Sequence, residues 1–70
     1  MSGEDYKLAR VNKGLSQGAA AVAITKLLAD VNGRTVSKQY VSQWEKEEKF
    51  PKKYHLEAMT AVYGVPMTAL

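Results

Sequence analysis

The chain has no cysteine, which excludes disulfides, thiolate metal sites and a cysteine nucleophile, and suits a reducing cytoplasm. It has one histidine, His55, so neither a histidine metal cluster nor a catalytic dyad can be assembled, and no cofactor or metal is expected. Long apolar runs are also missing. The longest, from Gly18 to Ile24, stops at Thr25-Lys26, far short of a bilayer span, so no membrane partner is expected. The first residues, Met1-Ser-Gly-Glu-Asp, are acidic and lack the basic start and apolar run of a signal peptide. What remains is 70 residues, 46% hydrophobic and 24% charged, matching one small globular domain over 1–70. No constellation suited to an enzyme is visible.

The charge is unevenly placed. Between Arg34 and Lys53 stand six cations (Arg34, Lys38, Lys46, Lys49, Lys52, Lys53) and three anions (Glu45, Glu47, Glu48), whereas the rest of the chain is balanced. The whole net charge of +3 therefore sits in one stretch. A solvated basic surface would look the same, but a localised excess is better explained by an anionic partner, most simply a phosphate backbone.

Punctuation by glycine and proline predicts an all-α bundle of four helices plus a C-terminal turn. The first helix covers Glu4 to Lys13, with Leu8 and Val11 on its apolar face and Gly14 as its stop. Ser16 caps a second that runs to Val31, with Ala20, Ile24, Leu27, Leu28 and Val31 as its stripe, before Asn32-Gly33 ends it. Ser37 caps a third from Lys38 to about Glu47. Pro51 takes the first position of a fourth, carrying Leu56, Met59, Val62 and Tyr63 up to Gly64. Pro66 opens a last turn with Met67 and Leu70.

The third helix carries the chemistry. At 100° per residue, Lys38, Gln39, Ser42, Gln43 and Lys46 fall within an arc of roughly 140°, while Val41 and Trp44 point away and Tyr40 lies at the border. Amides, a hydroxyl and ammonium groups without a carboxylate are what reads base edges in a major groove. Exposed helix faces commonly carry the same residues, so the composition alone leaves both readings open. The lysines at helix starts (Lys38, Lys52, Lys53) oppose the helix dipole and fit phosphate binding better than stability. Glu47 and Glu48 have no such account and are expected to pair with Lys49 or Lys52. Trp44, Tyr6, Tyr54, Tyr63 and His55 are expected to pack, with Tyr54 also offering a hydroxyl to phosphate.

The segment Lys7-Leu-Ala-Arg-Val-Asn-Lys-Gly-Leu-Ser-Gln17 resembles the start of phage Cro/cI-type (XRE-like) helix-turn-helix proteins. Val36-Ser-Lys-Gln-Tyr-Val-Ser-Gln-Trp-Glu45 is similar to their recognition helix, and Phe50-Pro51, Leu56 and Ala61-Val-Tyr-Gly-Val-Pro-Met-Thr-Ala-Leu70 to their last helices. The resemblance implies a lambda-repressor-like bundle of four to five helices. It implies base contacts from Ser37, Lys38, Gln39, Ser42 and Gln43, and a phosphate contact from Gln17. Arg10 would touch phosphate or pair with Glu45. Tyr40, Lys46, Lys49, Lys52 and Lys53 complete the expected phosphate contacts. One departure stands out: the family leaves roughly eight residues between the positions of Gln17 and Val36, and this chain leaves 18. The second helix must lengthen, or the turn must grow by Arg34-Thr35, or both, which makes Arg34 and Thr35 backbone contacts of their own.

The function so implied is a sequence-specific regulator of transcription, a Cro-like phage or prophage repressor. It would bind a near-palindromic operator in double-stranded DNA as a homodimer, in a bacterial cytoplasm or nucleoid, and would not be an enzyme. The alternatives are an excisionase-like or architectural DNA-binding factor, and a non-DNA adaptor or antitoxin.

Overall fold

The computed structural model describes residues 2–67, and the expected contact of Leu70 lies outside them. Four helices follow one another: α1 (Gly3–Asn12), α2 (Gln17–Ala29), α3 (Lys38–Glu45) and α4 (Lys53–Tyr63), with no strand among the described residues. Helix α3 packs against α2 and α1, and α4 packs against α2. The core is Tyr6 from α1, Ala20, Ala21, Ile24 and Leu28 from α2, Val41 and Trp44 from α3, and Ala58, Met59 and Tyr63 from α4. Val36 and Met67 close it from the connecting segments. None of the helices is long and apolar enough to cross a membrane.

Local signals set most of the helix starts. Serine side chains accept amide hydrogens at the heads of three helices: Ser2 from Asp5, Ser16 from Ala19 and Ser37 from Tyr40. The Asp5 carboxylate returns the favour by accepting from the Ser2 amide at 2.9 Å. Those hydrogen bonds from Ser2 hold its carboxyl below the usual aspartate range.

Several expectations need correction. Leu8 and Val11 do not face the core, since they are 49% and 50% exposed; α1 buries Gly3, Tyr6 and Arg10 instead. The cause is tertiary. At Gly3 the start of α1 lies so close to the end of α3 that an added methyl would overlap the Glu45 carbonyl, and this contact sets the rotation of the helix. Helix α2 ends at Ala29, leaving Leu27 half-exposed and Val31 70% exposed. The amides of Val31, Asn32 and Gly33 all turn back onto the Leu28 carbonyl.

Helix α3 ends at Glu45, two residues early. Glu47 adopts a left-handed φ of 60°, and the Glu48 amide reaches the Gln43 carbonyl while that of Glu47 reaches Trp44. This is a Schellman stop with glutamate where glycine is usual. Pro51 stays outside α4, because Lys52 is its cap and Lys53 its first residue. Leu56 and Val62 are only half-buried. Residues 66 and 67 form no helical turn, although Met67 is buried and its amide donates to Thr60 Oγ1 at 3.0 Å.

The 18 residues between Gln17 and Val36 are absorbed in both ways. Helix α2 spans 13 residues, and residues 30–37 make a long connection to α3. One side chain ties that connection down. Thr25 Oγ1 accepts the Val36 amide at 2.9 Å and donates to the Val36 carbonyl at 3.1 Å.

Candidate functional site

Helix α3 is anchored from behind. Val41 and Trp44 are buried, each contributing about 1.5–3 kcal/mol by leaving water. Its opposite side presents Lys38, Gln39 and Lys46 to solvent, with Ser42 and Gln43 half-buried beside them. The Ser37 hydroxyl caps the helix, accepting from the Tyr40 amide at 3.3 Å, and is itself exposed. Four of the five residues expected to read bases, Lys38, Gln39, Ser42 and Gln43, therefore lie along one side of α3, and Ser37 precedes the helix as its cap.

Two expected phosphate ligands face elsewhere. The Arg10 guanidinium is buried, with Nε donating to Glu45 Oε2 at 2.7 Å, Nη2 to Oε1 at 3.1 Å and Nη1 to the Leu15 carbonyl at 2.8 Å. Gln17 Nε2 donates to the same Glu45 Oε1 at 3.1 Å. Both are turned inward onto the C-terminal end of α3, and all three guanidinium nitrogens are engaged. Of the two roles considered for Arg10, the structure places it in the ion pair. The hydrogen bonds it donates to Glu45 also raise the Arg10 pKa beyond its usual value. Beside this pair the Tyr63 hydroxyl is buried without a hydrogen-bond partner, and burial pushes its pKa up to about 12.

The other expected phosphate ligands cluster. Arg34, Thr35, Tyr40, Lys49 and Lys52 line a cleft of about 490 Å³ between the α2–α3 connection and the α3–α4 connection, together with Gly33, Trp44, Phe50, Tyr54 and His55. Lys46 and Lys53 are exposed but do not line it. Glu47 and Glu48 form no ion pair with Lys49 or Lys52, the Arg10–Glu45 pair being the one present among the described residues.

Sequence reasoning treated His55, Trp44 and Tyr54 as separate packing residues, yet they form a continuous aromatic array. Tyr40 stacks on Trp44 with ring centroids 6.5 Å apart and planes 12° from parallel. Trp44 lies 4.8 Å from His55, and His55 4.3 Å from Tyr54. The Arg34 guanidinium carbon sits 5.7 Å above the Tyr54 ring. The His55 imidazole accepts the Lys52 amide hydrogen at Nδ1, 3.1 Å away, which leaves the proton of the neutral ring on Nε2. Burial, then the positive charges of Lys52 and Arg34, hold its pKa below 6.5 and keep the ring neutral at pH 7. The one hint in the sequence was the spacing of Tyr40 and Trp44, four apart on a helix.

No group of three or more histidine or acidic side chains among the described residues is placed to hold a metal ion. No protein-family model, curated protein or solved structure matches this chain.

Proposed function

We propose that the protein is a sequence-specific double-stranded DNA-binding regulator of transcription, a Cro-like repressor that lays α3 in the major groove. The observation that carries this reading is the division of α3 into a buried anchor and an outer side of Lys38, Gln39, Ser42, Gln43 and Lys46 without a carboxylate. Glutamine pairs bidentately with adenine, lysine donates to guanine, and serine serves either way. Arg34, Thr35, Tyr40, Lys49 and Lys52 on one flank, with Lys46 and Lys53, supply contacts to the phosphates on either side of the groove.

A helix-turn-helix arrangement of α2 and α3 with an enlarged connection is part of the proposal. So are a bacterial cytoplasmic location and a homodimer that reads two half-sites about 34 Å apart. Selection from random duplexes tests the whole reading. A near-palindromic consensus with half-sites one turn apart is expected, and recovery of unrelated sequences would overturn sequence-specific recognition.

A further inference from the structure

The cleft beside α3 has more than a phosphate backbone requires. Phe50 is 74% exposed, the most exposed large apolar side chain among the described residues, and its ring lines the cleft instead of filling the core. Tyr40, 43% exposed, offers a second ring surface backed by Trp44. Arg34 and Lys52 stand at the same cleft, His55 Nε2 carries a proton to donate, and none of the described residues lining it is acidic. A volume of about 490 Å³ falls in the range of small-ligand sites. Flat π surfaces together with anion donors match a ligand having both a flat ring and a phosphate.

We propose that this cleft binds an unpaired nucleotide, its base against Phe50 and Tyr40 and its phosphate held by Arg34, Lys52 and the Nε2–H of His55. Aromatic platforms beside cations are how nucleotides are held without base-edge readout. The site rests on the DNA-binding reading for its biological setting, but its occupancy is measurable without a duplex. Trp44, the chain's one tryptophan, lines the cleft and reports on it directly.

The test follows Trp44 fluorescence during titration with thymidine 5′-monophosphate, (dT)8, thymidine and inorganic phosphate. Both phosphorylated thymidines are expected to quench it, with thymidine or phosphate alone at least about tenfold weaker. Phe50→Ala and Phe50→Leu should each lower nucleotide affinity by roughly tenfold, the loss of one stacked base. Melting temperature should not move, because Phe50 is not in the core, and blunt-duplex affinity should stay within about twofold. Tighter binding of (dT)8 than of the mononucleotide assigns the site to a strand, and equal affinities assign it to free nucleotides. Phosphate binding as well as the nucleotides, absence of quenching, or unchanged affinity in both Phe50 variants would overturn the proposal. If duplex binding fails while nucleotide binding holds, the repressor reading falls and the cleft assignment survives.

Discussion

Thr25 and Val36 are joined twice through one hydroxyl, which accepts from the Val36 amide and donates to the Val36 carbonyl. Val36 is buried, and the residue after it caps α3, so this pair decides where the helix begins. Thr25→Val keeps the shape and removes both bonds, leaving two backbone groups unpaired. It should cost about 1–3 kcal/mol in chemical denaturation. Thr25→Ser should retain most of the stability. A valine variant as stable as the parent would mean that the connection is held by burial alone.

Gln39 is exposed in the first turn of α3. Gln39→Ala should weaken binding to a selected operator by about 1–3 kcal/mol and binding to random duplex far less. Equal losses on both, measured by titration at fixed salt, would make Gln39 a positioning contact and not a reader.

Glu47 holds a left-handed φ of 60° at the stop of α3. Glu47→Gly should therefore stabilise the domain by about 1 kcal/mol, seen as a higher denaturation midpoint with an unchanged slope. A lower midpoint would show that the Glu47 side chain contributes more than its backbone costs.

His55 makes stability depend on pH. Its folded-state pKa lies below the ordinary 6.5, so the unfolded chain takes up the proton first. The stabilising contribution is complete above about pH 6.5 and declines as pH falls through that value toward the lowered one. Protonation at Nδ1 also ends its acceptance of the Lys52 amide. His55→Gln keeps an acceptor at this capping position and cannot titrate, so its melting temperature should vary less between pH 5 and 7.5. Parallel curves for parent and variant would assign the acid sensitivity elsewhere.

The caps at Ser16 and Ser37 and the stop at Gly64 were legible because they are local, each serine meeting an amide three residues on and Gly64 taking the left-handed turn, whereas the ends of α2 and α3 and the start of α4 were not. The burial of Trp44 followed from its spacing from Val41. The rotation of α1 was not legible, since Leu8 and Val11 are more apolar than the Gly3, Tyr6 and Arg10 that face inward. That choice depends on the distant end of α3, where the Glu45 backbone lies against Gly3 and the Glu45 carboxylate, 35 residues from Arg10, takes its guanidinium. Thr25 carried no signal within an alanine-rich helix. The cleft escaped notice because its lining comes from two connections and parts of two helices, whose meeting is decided by packing.

The Glu45 carboxylate, gripped by Arg10 and Gln17 and buried with its partner, makes the two ends of α3 mechanically unequal. The C-terminal end is a fixed pivot, because freeing it means breaking a buried charge pair, at about 3–5 kcal/mol. The N-terminal end hangs from the connection that the Thr25 hydroxyl fastens at Val36. The two ends of α3 are thus held by different chemistry, a buried ion pair at one and two neutral hydrogen bonds at the other, so acid should reach the first and leave the second.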